Sequence, residues 1–73
     1  MEKEIILDII ADYINVDSSI FSADTNFASD MGLSEADIRE IIVNVEEKFK
    51  VILSEEKIES IRTIKDLVDN FTY

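Results

Sequence analysis

The sequence predicts an all-α domain of four helices, with a long first loop and a short third helix. Apolar residues recur at the three- and four-residue spacing of a helix face in three segments. N-cap signals precede the last three helices at Ser34, Ser54 and Thr63. The chain has no proline and a single glycine, Gly32, so no strong helix breaker falls inside the periodic segments. Because no linker or shift in composition interrupts the chain, residues 1–73 are expected to form one domain.

The first helix is predicted over residues 2–14. Apolar residues in this segment follow the i, i+3, i+4, i+7, i+8 spacing that aligns side chains on one helix face. Asn15 follows the last of them and favours a left-handed stop. The predicted buried face consists of Ile6, Ile9, Ile10, Tyr13 and Ile14.

A long loop is predicted over residues 16–33, where the helical periodicity is lost and Asp, Ser, Thr and Asn accumulate. Three apolar residues, Ile20, Phe21 and Phe27, are expected to anchor this loop to the core. Loops of this length are uncommon in small domains unless they are functional. The loop is therefore predicted to contribute to function.

The second helix, of about four turns, is predicted to begin after Ser34. The Ser34 hydroxyl can accept an early backbone N–H, and Asp37 three residues later complements the positive end of the helix. Leu33 can then pack on Ile38 as a hydrophobic staple. The apolar face is Ile38, Ile41, Ile42, Val45 and Phe49, while Asp37, Glu40, Asn44, Glu47 and Lys48 lie largely elsewhere.

Two shorter helices are predicted over residues 54–60 and 63–71. Ser54 is the expected cap of the first, with Leu53 stapled to Ile58. Thr63 and Asp66 resemble a capping box at the start of the second. The last helix shows helical spacing of Ile64, Leu67, Val68 and Phe71.

The composition excludes most enzyme classes and favours a protein that other proteins bind. The chain has no cysteine and no histidine, which removes thiolate nucleophiles, the commonest general base and the commonest zinc ligands. Seventeen acidic and seven basic side chains give a net charge of −10, which repels nucleic acid and favours partners with basic surfaces. No apolar run is long enough for a membrane span and no signal peptide is evident, so a cytoplasmic protein is expected. We also expect it to be a monomer.

Other constellations in the sequence do not indicate a catalytic or metal site. Paired carboxylates occur at residues 46–47 and 55–56, but adjacent helical residues point in different directions. Some calcium-loop offsets are matched by Asp24, Asn26, Asp30 and Glu35, yet the fifth and sixth loop positions are Ala28 and Ser29 where a calcium loop needs a ligand and a glycine. The aromatic residues Tyr13, Phe21, Phe27, Phe49, Phe71 and Tyr73 have no interleaved basic residues and are predicted to lie in the core.

Several short motifs resemble those of acyl carrier proteins. They are Phe27, Asp30-Met31-Gly32 before the second helix, Glu46-Glu47-Lys48-Phe49 at its end, and Ile61-Arg62-Thr63-Ile64 before the last helix. The resemblance covers nearly the whole chain without gaps. It implies a four-helix acyl-carrier-protein-like bundle that is not an enzyme and serves fatty acid or polyketide biosynthesis. Such a carrier presents acyl or aminoacyl groups as thioesters on a 4′-phosphopantetheine arm.

The family attaches this arm to the serine of an Asp-Ser-Leu motif at the start of the second helix. In ungapped alignment the three motif positions fall on Ser34, Glu35 and Ala36, so a glutamate stands at the attachment position. A carboxylate cannot form the stable phosphodiester that a hydroxyl forms with the arm. Two hypotheses follow: Ser34 accepts the arm one residue early, with Asp30 and Asp37 helping to hold the transferase magnesium, or the domain is an adaptor without a prosthetic group.

The resemblance also implies the partners and their binding surface. Partners would be basic surfaces of biosynthetic enzymes or a phosphopantetheinyl transferase. An opened interior that shelters an acyl chain would be lined by Ile38, Ile41, Ile42, Val45 and Ile58. The residues expected to face partners are Glu35, Arg39, Glu40, Glu46 and Glu47. A third hypothesis is an unrelated acidic bundle, which a structure without the long first loop would favour.

Overall fold

Four α-helices form the protein in the computed structural model, which describes residues 2–71. The helices are α1 (Glu2–Ile14), α2 (Glu35–Phe49), α3 (Glu55–Ser60) and α4 (Ile64–Phe71). The all-α prediction, the long first loop and the short third helix are confirmed. The loop also contains a short 3₁₀ helix, Ser18–Ile20, which was not predicted and which Asp17 caps. Within residues 2–71, no helix has the length and apolar character needed to cross a membrane.

Left-handed residues end the two longest helices. Asn15 has a φ of 60°, and the N–H of Val16 donates to the carbonyl of Ala11 at 3.0 Å. This bond satisfies a carbonyl at the end of α1, as a Schellman turn does, and confirms the predicted stop. Lys50 ends α2 with a φ of 58°. That second stop was not predicted, since lysine does not favour the left-handed region.

The core lies where all four helices and the loop meet. Ile6 and Ile10 of α1 pack with residues of α2, α4 and the loop in one continuous apolar cluster. The Phe49 and Phe71 rings stack at 6.0 Å between centroids, which joins the end of α2 to the end of α4. The buried members are Ile6, Ile10, Phe27, Ile41, Ile42, Val45, Leu53, Ile61, Ile64, Leu67 and Phe71.

Phe27 anchors the long loop at the start of α4. Its side chain is 1% exposed, and its N–H donates to the carbonyl of Arg62 at 3.0 Å. The N–H of Ile64 donates in turn to the carbonyl of Thr25 at 3.0 Å, so Asn26 and Thr63 form an antiparallel bridge. The loop is therefore held by backbone hydrogen bonds as well as by its buried aromatic ring.

Ile20 was wrongly predicted to anchor the loop. It is 65% exposed, whereas the adjacent Phe21 is half-buried against the core. The 3₁₀ helix ends at Ile20 and the backbone becomes extended at Phe21, so the two side chains point in different directions. The 3₁₀ helix was not predicted, because the segment is polar and has no helical periodicity.

Tyr13 was wrongly predicted to lie in the core. It is 38% exposed, and its hydroxyl donates to Oδ1 of Asp37 at 3.2 Å. Residues at the edge of a helix face satisfy the apolar periodicity while keeping a polar tip in water, as tyrosine commonly does. The same prediction for Tyr73 lies outside the described residues.

Candidate functional site

A compact turn positions the start of α2. The Asn26 side-chain oxygen accepts the N–H groups of Ala28 and Ser29, both at 2.9 Å, and the Asp30 carboxylate accepts the N–H of Asn26 at 2.8 Å. Gly32 follows with a φ of 67°, a conformation that glycine adopts without steric cost. Because Phe27 is buried at the base of this turn, the helix start is fixed relative to the core.

Ser34 caps α2 through the predicted capping box. Its Oγ accepts the N–H of Asp37 at 3.1 Å, and Oδ2 of Asp37 accepts the N–H of Ser34 at 3.1 Å. The hydroxyl remains at an exposed position. The predicted caps are likewise present at Ser54, which accepts the N–H of Lys57, and at Thr63, which exchanges bonds with Asp66.

Ser34→Ala is expected to lower the free energy of unfolding by about 1 kcal/mol, because the N–H of Asp37 loses its acceptor. Urea denaturation followed by circular dichroism measures this change. Ser29→Ala is the matched control, since Ser29 is also exposed but caps no helix, and it should change stability little. Equal losses in the two variants would show that Ser34 contributes nothing as a cap.

Asp37 also connects α2 to α1. Hydrogen bonds from Ser34, together with the bond from the Tyr13 hydroxyl, hold the pKa of Asp37 below its usual value. Desolvation and the hydrogen bond to Asp37 raise the pKa of Tyr13. The Asp37 carboxylate is therefore a structural group with two partners on different helices. Sequence reasoning missed the Tyr13 bond because it joins residues far apart in the chain.

The lowered pKa of Asp37 predicts a loss of stability in acid. The folded pKa lies below the unfolded value of about 3.9, so this contribution is present above that value and is lost as the pH falls through the folded pKa. Urea denaturation between neutral pH and about pH 3 should show a shallower acid decline for Asp37→Asn than for the parent. Asp8→Asn, which removes the same charge from the exposed face of α1, is the control, and an equal flattening in both variants would contradict the role of Asp37.

Glu35 is the first residue of α2 and lies beside a cleft between α2 and α3. The cleft has a volume of about 440 Å³, and its mixed polar and apolar lining includes Ile38 and Ile58. Of the five residues predicted to shelter an acyl chain, these two line it, while Ile41, Ile42 and Val45 are at most 1% exposed in the core. The full lining is Ala28, Leu33, Glu35, Ile38, Arg39, Ile58, Glu59, Ile61 and Arg62.

Arg39 bridges the cleft to α3. Its guanidinium donates two hydrogen bonds to the carboxylate of Glu55, at 2.5 and 3.2 Å. The bond from Arg39 lowers the pKa of Glu55 and raises that of the arginine. Arg39 was predicted to face partners, and the structure places it in an intramolecular ion pair. Since the pair joins separate helices, no helical spacing in the sequence indicated it.

The acidic residues of α2 divide into two groups. Glu40 and Glu47 are exposed and share a helix face with Val43. Glu46 is half-buried, and its Oε2 accepts the N–H of Leu53 at 2.7 Å. Glu46 therefore fixes the segment between α2 and α3, whereas Glu40 and Glu47 present free acidic surface.

The acidic residues do not form a metal centre within the part of the chain that the structure describes. No group of three or more carboxylates in residues 2–71 converges in a way that could hold a metal ion. Asp30 accepts from the loop backbone, and Asp37 accepts from Ser34 and Tyr13. Both carboxylates suggested for the transferase magnesium thus have structural partners.

Comparison with known proteins shows which family the chain belongs to. Residues 4–71 match the family model described as the phosphopantetheine attachment site. The chain is also 41% identical over 64 residues to an acyl carrier protein of Syntrophobacter fumaroxidans, covering 88% of this chain and 79% of that protein. The chain belongs to the acyl carrier protein family. Acyl carrier proteins are carriers without enzymatic activity, so the expectation of a non-enzyme is confirmed.

Other acyl carrier proteins and a solved structure agree with this assignment. An acyl carrier protein of Clostridium acetobutylicum is 32% identical over 69 residues, covering 94% of this chain and 90% of that protein. A solved structure described as an acyl carrier protein from Mycobacterium tuberculosis superposes with a TM-score of 0.87 at 20% identity, covering 94% of this chain and 92% of that one. The fold is thus that of acyl carrier proteins, and the hypothesis of an unrelated acidic bundle is wrong.

Proposed function

We propose that this acyl carrier protein relative is a docking adaptor that engages biosynthetic enzymes through α2 without a prosthetic group at the usual position. The observation that carries the proposal is Glu35 at the first position of α2. The resemblance of residues 30–32 and 46–49 to the family motifs, read without a gap, supports the assignment of Glu35 to the attachment position. Membership of the family implies biosynthetic enzymes as partners.

The chemistry at Glu35 does not fit the arm. Attachment requires a side-chain hydroxyl whose oxygen attacks the coenzyme A pyrophosphate and remains in the product phosphodiester. A carboxylate would give a mixed anhydride, which water hydrolyses. What Glu35 supplies is a permanent negative charge at a helix start, where the dipole stabilises it by about 0.3–1 kcal/mol. Glu35 thus places a fixed negative charge where the arm's phosphate would otherwise lie.

The exposed acidic face of α2 is the proposed contact for partners. Glu40 and Glu47 are exposed on this face, and the structure describes no intramolecular partner for either. The protein's net charge of −10 adds to the negative electrostatic potential around them. Electrostatic complementarity of this kind accelerates encounter and selects partners more than it tightens the final complex. A basic enzyme surface is therefore the partner that this face suits.

Ser34 supports a second candidate function, a carrier with a shifted attachment site. Its hydroxyl is exposed at the start of a helix, where backbone N–H groups and the dipole favour a phosphate. The same oxygen accepts the N–H of Asp37, so modification would attach the arm to the oxygen that caps α2. The two candidates differ in a single measurable property, which is whether Ser34 gains a phosphopantetheine.

Incubation with coenzyme A, magnesium and a promiscuous phosphopantetheinyl transferase tests the two candidates. The adaptor hypothesis expects an unchanged intact mass while a control carrier in the same tube is fully modified. A single adduct that fragmentation maps to Ser34, and that is absent from Ser34→Ala, would overturn it. Since Ser34→Ala loses only a cap, circular dichroism should show that this variant is folded.

Glu40→Lys and Glu47→Lys are expected to slow association with a basic partner, for which the same transferase is the probe. Biolayer interferometry with the immobilised transferase should show a lower kon at low salt, and the difference should shrink as salt screens the charges. Glu4→Lys, an identical charge change at an exposed position of α1, is the control. A kon that falls equally in all three variants would indicate net charge alone and reject α2 as the docking face.

A further inference from the structure

Ile52, between α2 and α3, is the most exposed of the large apolar residues in the part of the chain that the structure describes. Its side chain is 91% exposed, compared with 65% for Ile20 and 41% for Val43. Single exposed apolar residues are common on protein surfaces and need no special explanation. What distinguishes Ile52 is the way in which its neighbours hold it.

The backbone on both sides of Ile52 is fixed. On one side, Val51 packs against the core and its N–H donates to the carbonyl of Glu46 at 3.1 Å, after the left-handed turn at Lys50. On the other side, Leu53 is 8% exposed and donates its N–H to the Glu46 carboxylate at 2.7 Å. An apolar side chain on a fixed backbone loses little freedom on binding, so this position is preorganised for contact.

Ile52 lies between two shallow surface pockets, here called hollows, and lines both of them. The first hollow, of about 500 Å³, connects it to the exposed face of α2. The second, also of about 500 Å³, lies toward α4. The first is lined by Val43, Glu46, Glu47, Lys50, Val51 and Ile52, and the second by Val51, Ile52, Leu53, Ser54, Lys57, Asp69 and Asn70.

We infer that Ile52 is the apolar anchor of the α2 docking face and inserts into an apolar socket, rimmed by lysine or arginine, on a partner protein. This inference rests on the proposed docking function. Charge favours such an occupant, because Val43 lies between Glu40 and Glu47 on the face that continues to Ile52. A second copy of this chain would bring another charge of −10, and an anionic membrane would be repelled in the same way.

An anchor of this kind predicts an effect on affinity, whereas the acidic face predicts an effect on encounter. Apolar anchors at the centre of interfaces commonly contribute enough that their truncation weakens Kd at least about tenfold, chiefly through a faster koff. Ile52→Ser should show this change. Ile20→Ser is the matched control, because Ile20 is also an exposed isoleucine but belongs to the 3₁₀ helix of the long loop.

In-cell photo-cross-linking from position 52 tests the anchor. The full chain with p-benzoylphenylalanine at Ile52 should give a discrete adduct with a basic protein on irradiation, and the chain with this residue at Ile20 should not. The adduct site on the partner should map to apolar residues bordered by lysine or arginine. No adduct at position 52, equal adducts from both positions, or an adduct with a second copy would overturn the proposal.

Calorimetry with the purified cross-linked partner separates the anchor from the docking function. A Kd at least about tenfold weaker for Ile52→Ser, with Ile20→Ser unchanged, supports the anchor. An unchanged Kd for Ile52→Ser overturns the anchor. In that case a lower kon of Glu40→Lys and Glu47→Lys for the same partner, measured by biolayer interferometry, would leave the docking function standing.

Discussion

If the protein is an adaptor as proposed, introducing the Asp-Ser-Leu motif of the family should convert it from an unmodified protein to one that is fully modified with phosphopantetheine. The triple variant Ser34→Asp, Glu35→Ser and Ala36→Leu places a hydroxyl at the first position of α2 and keeps an N-cap, since aspartate caps helices as well as serine does. All three positions are exposed, so the substitutions do not disturb the core. Intact mass after incubation with coenzyme A, magnesium and a transferase measures the change.

The separate substitutions show which feature limits modification. Glu35→Ser alone supplies the hydroxyl, and Ala36→Leu alone supplies only the apolar neighbour. We expect modification in the first and none in the second. Failure of the triple variant, folded and beside a fully modified control carrier, would mean that features other than Glu35 prevent attachment, and Arg39 with its bond to Glu55 would then be the first to test.

Phe27→Ala is expected to cause the largest loss of stability, about 3–5 kcal/mol. The ring is 1% exposed at the point where the long loop, the start of α2 and the start of α4 meet. Removing it leaves a cavity beneath the turn that positions Ser34 and Glu35. The stability of a small domain lies near the low end of about 5–15 kcal/mol, so a loss of this size removes most of the free energy of unfolding.

Urea denaturation followed by far- and near-ultraviolet circular dichroism measures this loss. The chain has no tryptophan, so the near-ultraviolet signal comes from tyrosine and phenylalanine. Phe27→Leu is the conservative control and should cost less than the alanine variant, because most of the cavity is filled. Phe21→Ala is a second control on the same loop, at a half-buried position. A loss for Phe27→Ala no larger than that for Phe21→Ala would contradict the central position of Phe27.

Local features of the fold could be predicted from the sequence and distant ones could not. Three features depend on residues within a few positions of each other and could therefore be predicted from the sequence alone. They are the helix spans, the capping box of Ser34 and Asp37, and the stop at Asn15. The exposure of Ile20 and of Tyr13 depends on an unpredicted 3₁₀ helix and on a partner in another helix, and both predictions were wrong.

The same division holds at the candidate site. Glu35 and Ser34 were located correctly at the start of α2 because motif and cap signals agree there. The roles of Arg39 and Glu46 were missed, since each side chain bonds to a residue beyond its own helix. Charge in the sequence indicated an acidic surface, but only the tertiary contacts show which carboxylates remain free.

The bridge between Asn26 and Thr63 has a consequence for the order of folding. It joins segments that are distant in the chain, so the entropy of closing the intervening segment must be lost before the bridge contributes any stability. We expect the amides of Phe27 and Ile64 to exchange with solvent more slowly than those of α3, because both join the loop to the start of α4 whereas α3 has no buried residue. Native-state hydrogen exchange would then show the long loop and the start of α4 protected together, and α3 opening at a lower free energy.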